Sequence, residues 1–211
     1  MTTKLMSLEP AKRNAILNAA LKEFATKGFD KASTNVIAKE AKISKPLMFH
    51  YVSSKQELFL CVYDYFVEIL DKEYYLKMDF TEKDIFNRLR QSYLLQIELI
   101  KLYPWIFEFN KLTNETNSDL INIELKKRAD KKQLSCGNQL FDTVDESKFR
   151  KGLDIEKCKQ FILWANIGFI NQILDEIRNT NTNEINGDTI LQKLDGYFDE
   201  LRKVFYSESN E

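Results

Sequence analysis

Histidine is nearly absent from this 211-residue chain, His50 being the only one. A multi-histidine metal centre is therefore impossible, and a Ser-His-Asp or Cys-His catalytic site would have to be built on that one residue. Cysteine is scarce too. Cys61, Cys136 and Cys158 lie far apart with no close pair, which argues against a disulfide framework and a thiolate zinc site and suits a reducing cytoplasm. The six glycines (Gly28, Gly137, Gly152, Gly168, Gly187, Gly196) are isolated from one another, so there is no glycine-rich phosphate loop. Only three prolines accompany them. Turn formers so sparse in a Leu/Ile/Lys/Glu/Asn-rich chain point to helices joined by short loops and nearly exclude an all-β sandwich. No run of 18 or more residues is continuously apolar, and Met1 to Arg13 lacks an apolar stretch of signal-peptide length, so the expectation is a protein neither secreted nor inserted in a membrane. Carboxylates are plentiful but read as solvated helix faces. No catalytic residue, metal or cofactor is expected.

What is present is the balance of a soluble globular protein, 44% apolar and 30% charged residues, with a formal net charge of −1. The charge is unevenly spread. Up to Leu60, ten lysines and arginines stand against five carboxylates, a net of +5; the remaining 151 residues carry 21 against 27, a net of −6. A basic N-terminal segment on an acidic body is the asymmetry of a chain whose one end meets a polyanion.

Ser7 to Lys27 reads as one amphipathic helix, with Pro10 in its first turn, Ile16, Leu17, Ala20, Leu21 and Phe24 at helical spacing, and Gly28 placed to stop it in a left-handed conformation. Ser33 or Thr34 can cap a very short second helix carrying Ile37, Ala38 and Ala41. After the turn Lys42-Ile43, Ser44 can cap a third, with Pro46 in its first turn. Ser54-Lys55-Gln56-Glu57 has the form of a capping box and opens a long helix to about Leu76. Two short helices across a tight turn, bracketed by longer ones, make a helix-turn-helix: Ala38 is the small residue at the crossing, Ile43 the apolar residue of the turn, and Met48 with Tyr51 or Val52 the inner positions of the second helix.

The order Thr34-x-x-Ile37-Ala38-x-x-Ala41-x-Ile43-Ser44-Lys45-Pro46-x-Met48-Phe49-His50-Tyr51-x-x-Ser54-Lys55-x-x-Leu58 resembles the N-terminal signature of the TetR/AcrR family of transcriptional regulators, over about residues 10 to 60. Three positions depart from it. Lys42 stands where the family usually has a glycine in left-handed backbone, Phe49 where a tyrosine is common, without the hydroxyl that would bond a phosphate, and Val52 where a phenylalanine is common. The resemblance implies an all-α chain: a three-helix DNA-binding domain (residues 1–53), then a helical effector-binding and dimerisation domain (54–211) entered through a connecting helix at about 54–76. Residues at the start of the recognition helix then face the major groove. Lys45 suits guanine O6/N7, Leu47 a thymine methyl unless it packs inward, and Pro46 a base edge. Thr34, Ser44, His50, Tyr51 and Lys55 suit phosphates, as Lys42 does by reach, with Tyr51 alternatively in the core. Phe49 lies in the same interface.

Beyond Tyr75 only periodicity speaks. It predicts helices over Asp84–Leu102, Trp105–Leu112, Asp119 to about Leu140, Ile155–Arg178 and Asp188–Tyr206, with a polar linker at Thr180–Asn183. Leu191, Leu194, Phe198, Leu201 and Phe205 alternate at steps of three and four, a seam for helix pairing that Gly168 and Gln172 of the preceding helix can join. The family's last two helices form a dimer interface, which favours a homodimer over a monomer core. Tyr93, Gln96, Trp105, Phe109, Phe161, Trp164 and Phe169 could wall a site for a lipophilic or aromatic small molecule, or simply fill the core. The expectation is a cytoplasmic, homodimeric repressor that binds double-stranded DNA at a palindromic operator and is released by a small-molecule effector. The alternatives are a helical carrier or enzyme with incidental basic helices, and an activator.

Overall fold

The computed structural model describes residues 4–114, 118–132, 140–179 and 187–207, and these are all-α. Its helices are α1 (Pro10–Lys31), α2 (Thr34–Glu40), α3 (Lys45–Tyr51), α4 (Lys55–Glu73), α5 (Ile85–Leu102), α6 (Ile106–Asn114), α7 (Asp119–Lys132), α8 (Ile155–Asn179) and α9 (Gly187–Phe205). Cys136, the end of the helix expected to reach Leu140, and the linker at 180–183 lie outside the described residues. By packing, the chain forms two units, one of residues 1–76 and 102–134 and the other of 77–101 and 135–211. The helix-turn-helix thus shares its unit with all of α4 and with α6 and α7.

In the first unit α1 begins with Pro10 in its first turn, where the missing N–H costs nothing, and runs past the expected stop. Gly28 does take a positive φ of 72°, but the chain resumes a turn to Lys31. Side-chain caps start the next three helices: the Ser33, Ser44 and Ser54 hydroxyls accept from the N–H groups of Val36, Leu47 and Glu57. Glu57 reaches back to the N–H and hydroxyl of Ser53 rather than to Ser54, and these bonds hold its carboxyl below the usual range. Phe24, Phe29, Phe59, Phe66 and Phe109 share stacked, edge and tilted contacts at 5.0–6.2 Å, so α1, α4 and α6 meet over an aromatic core.

The second unit packs Ile85, Phe86, Leu89 and Tyr93 of α5 against Cys158 and Ile162 of α8 and Leu194 and Phe198 of α9. Arg88 is fully buried and donates to the main-chain carbonyls of Phe80, Glu82, Leu140 and Asp142, tying two loops to α5. The seam expected between copies is filled from within. Leu194 is 0% and Phe198 1% exposed, Phe198 lying 5.5 Å from Phe86 and 6.2 Å from Tyr93, and Leu191, Leu201 and Phe205 pack on the same cluster. Leu194 and Phe198 are thus consumed by the protomer's own core, while Leu191, Leu201 and Phe205 stay partly exposed at its edge.

Candidate nucleic-acid interface

The turn between α2 and α3 closes as a Schellman motif. The Ile43 N–H donates to the Ala38 carbonyl at 2.9 Å and the Lys42 N–H to that of Lys39 at 3.1 Å, which puts Lys42 at the position after the cap, where glycine is usual. Its φ is 57°, the left-handed backbone expected there. Ala38 (2% exposed), Met48 (1%) and Val52 (2%) lock the two helices inward. With Val52 inside, Tyr51 is only half-buried.

The outward face of α3 consists of Lys45, Pro46, Phe49 and His50, all exposed, with Leu47 half-buried beside them. No carboxylate lies on α3, and Glu40 at the end of α2 is paired to Lys22 at 2.7 Å. Lys42 and Ser44 are exposed at the turn, and Thr34 is half-buried at the start of α2. Lys45 and Lys42 therefore extend a field of one sign over the end of the helix that would enter a groove.

Two predicted phosphate ligands have partners inside the protein. The Lys55 ammonium donates to the carbonyls of Asp30 (3.0 Å) and Ala32 (3.3 Å) and lies 4.9 Å from the Phe29 ring centroid, so it secures the end of α1. The Tyr51 hydroxyl accepts from the Lys12 ammonium at 2.9 Å. Sequence reasoning passed over Lys12, since nothing local marks a contact made across 39 positions.

The aromatic residues expected around one ligand are dispersed. Phe109 fills the core of the first unit and Trp105 is half-buried there. In the second unit Tyr93 is buried, its hydroxyl donates to the Asn166 carbonyl at 3.2 Å, and burial pushes that hydroxyl far above its usual range. Phe169 packs edge-on against the Tyr93 ring at 5.5 Å, and Gln96 donates to the Ser92 hydroxyl. Asn166, 6% exposed, keeps its side-chain oxygen buried without a hydrogen-bond partner among the described residues. Phe161 and Trp164 are 51% and 56% exposed, in contact with each other at 5.8 Å, on a face of α8 that continues through Ile167 (46%), the exposed Gly168 and Gln172. A Cβ built on Gly168 would meet nothing within 4 Å among the described residues.

The family described as "Bacterial regulatory proteins, tetR family" matches residues 16–62. Over 57 residues the chain is 42% identical to an uncharacterized HTH-type transcriptional regulator, YuxN of Bacillus subtilis; the match spans 27% of this chain and about a fifth (20%) of that relative. Similar solved structures cover almost the whole chain. A TetR family regulator from Chloroflexus aurantiacus superposes with a TM-score of 0.64 at 15% identity, covering 97% of each chain. The ketosteroid regulator KstR2 of Mycobacterium tuberculosis gives 0.64 at 18%, covering 95% of this chain and 98% of that one. AibR, solved with isovaleryl coenzyme A and operator DNA, gives 0.63 at 16%, covering 88% and 97%. Such identities speak for the fold alone. Among the described residues no helix is long and apolar enough to cross a membrane.

Proposed function

We propose that this chain, whose residues 16–62 match the tetR family of bacterial regulatory proteins, is a member of that family and acts as a sequence-specific repressor, homodimeric on a palindromic operator and released by a small lipophilic or aromatic ligand. The observation that carries the reading is α3 itself: Met48 and Val52 anchor it while Lys45, Pro46, Phe49 and His50 stand free on a face without carboxylates. Lys45, Pro46 and Leu47 read bases, and Thr34, Lys42, Ser44, His50, Tyr51 and Lys55 fix the register on phosphates. Residues 1–53, joined by Lys55 at the start of α4, read DNA, and the remainder of 54–211 binds the effector and the second copy. The protein works in the cytoplasm and is not an enzyme.

For the dimer we assign the outward face of α8, Phe161, Trp164, Ile167, Gly168 and Gln172, in place of the filled stripe on α9. An apolar patch beside a glycine that leaves open space suits close approach of a second helix. Phe161 and Trp164 then serve the dimer rather than the ligand. Effector binding centres on Tyr93, Gln96 and Phe169 with Asn166, whose buried, unpartnered oxygen would accept from a ligand hydroxyl or amide. The ligand favours a spacing of the two recognition helices that no longer matches successive major grooves, about 34–36 Å apart.

Selection of bound duplexes from a random pool tests this, followed by salt titration of the recovered sequence. A two-fold symmetric site bound with steep salt dependence is expected. Absence of any sequence preference would remove the reading and leave a carrier or enzyme as the better account.

A further inference from the structure

We propose that Lys12 and Tyr51 form a phosphate clamp at the edge of the DNA interface, in which the Lys12 ammonium polarises the Tyr51 hydroxyl so that it donates to a backbone phosphate oxygen. The clamp rests on the reading of α3 as the recognition helix. Lys12 lies in the first turn of α1 and Tyr51 is the last residue of α3. The ammonium donates to the Tyr51 oxygen at 2.9 Å and stands 5.3 Å from the centre of its ring. A phenol that accepts a hydrogen bond from a cation keeps its own hydrogen, and the bond it receives makes that hydrogen a stronger donor. The pair therefore presents an O–H, spare N–H groups and a full positive charge in one place.

Among the described residues the charge meets no carboxylate, unlike three other cations of the same unit. Lys22 binds Glu40, Lys72 binds Glu68 and Arg128 binds Asp64, whereas the partner of Lys12 among the described residues is a neutral phenol. Its place in the helix is also unfavourable, because a cation in a first turn opposes the helix dipole and no acidic side chain lies in that turn of α1. An incoming phosphate relieves both. The second half of α3 has need of such a contact: Phe49, 37% exposed, brings no donor, so its polar side chains there are His50 and Tyr51 alone. As a fold contact the pair contributes little, since an exposed hydrogen bond between two long side chains loses in side-chain entropy most of what it gains.

The test uses the full-length protein and the duplex recovered from the random pool. Lys12→Gln should melt with the wild type and keep its base preference, while the slope of log affinity against log salt becomes shallower by about 0.9 per protomer. The wild-type advantage then shrinks about 3.5-fold per protomer between about 50 and 200 mM salt. Lys12→Arg should restore the slope. Tyr51→Phe should weaken binding with the slope kept, the ammonium still resting over the ring. A wild-type slope for Lys12→Gln, with Lys45→Ala losing its base preference as expected, overturns the clamp and leaves the recognition helix standing. Early melting of Lys12→Gln with an unchanged slope overturns it too, the pair then being structural. No salt-dependent, sequence-selective binding by the wild type removes the clamp and the helix-turn-helix reading together.

Discussion

Replacing Phe198 with Glu and, separately, Trp164 with Glu should have opposite consequences, although both are aromatic residues on the last two helices. Phe198 is 1% exposed between Phe86, Tyr93 and Tyr197. Losing its burial costs about 1.5–3 kcal/mol. A carboxylate in its place adds a desolvation penalty of roughly several kcal/mol. Arg202, one turn further along α9, is already committed to Asn87 and Asp84 and lies over the Phe86 ring, so a new carboxylate would have to break that arrangement to gain a partner. The sum, on the order of 5 kcal/mol or more, rivals the whole stability of a domain, about 5–15 kcal/mol. Phe198→Glu should therefore lose the cooperative melt and near-UV circular dichroism of the second unit. Trp164 is 56% exposed, and its replacement should change folding by no more than about 0.5 kcal/mol. Across a two-fold interface, however, it sets two like charges in a desolvated patch, and the protein should sediment as a folded monomer. A monomer carries one recognition helix, so affinity for the symmetric site should collapse while weak, salt-dependent binding persists. Sedimentation velocity, thermal melting and DNA titration on the two variants read all of this. A folded, monomeric Phe198→Glu would return the interface to α9, and a Trp164→Glu that stays dimeric would refute the α8 face.

At the turn, left-handed backbone at Lys42 costs roughly 1 kcal/mol and the freer unfolded chain of a glycine takes back about 0.5–1 kcal/mol. Lys42→Gly should thus be neutral to about 0.5 kcal/mol stabilising and Lys42→Val clearly destabilising in urea melts; equal stability of the two would show that the turn makes no such demand. Lys55→Met keeps the stem but removes two bonds to the end of α1, and should cost about 1–2 kcal/mol in the same melts while weakening all DNA sequences alike; an unchanged melt would leave Lys55 a phosphate ligand only. Burial raises the Asp84 carboxyl, but hydrogen bonds from Lys148 and the Asn87 N–H, with the charges of Lys148 and Arg202, outweigh it and hold the group below its usual range. A depressed carboxyl stabilises the fold above its unfolded value and loses that contribution as pH falls through the folded one. Asp84→Asn should flatten the acid limb of the stability–pH curve, and an unaltered limb would place the acid sensitivity elsewhere.

The parts of the fold that were legible in the sequence are those decided within a few residues. Ser44 ahead of a helix carrying Pro46, the Ser54–Glu57 spacing and the demand for left-handed backbone at Lys42 are local chemistry, and the helices start and turn where that chemistry puts them. Partners distant in sequence were not legible. Arg88 lies among apolar positions of α5, where a charged residue is normally taken for solvent-facing; it is buried because the loops around residues 80–82 and 140–142 supply carbonyls that α5 alone does not announce. Tyr51, open between core and phosphate on sequence alone, is half-buried and bonded to Lys12 across 39 positions, a contact that nothing local announces.

The stripe on α9 shows the same limit from the other side. A three-four repeat states that a helix has a packing partner and is silent on whether that partner belongs to the same chain. α8 held the better clue. Cys158, Ile162, Phe169 and Ile173 form one side facing its own unit, while Phe161, Trp164 and Ile167 form another that its own unit leaves exposed. A helix whose apolar residues exceed one stripe has more to bury than one neighbour can cover. With α5 and α9 satisfied on the inner side, the residue types on the outer side, two large aromatics beside a glycine, point to a second helix of comparable length rather than to water. On the proposed assignment a twofold axis at α8 would supply that helix as the same segment of another copy, and a carboxylate in place of Trp164 would then decide whether the dimer forms.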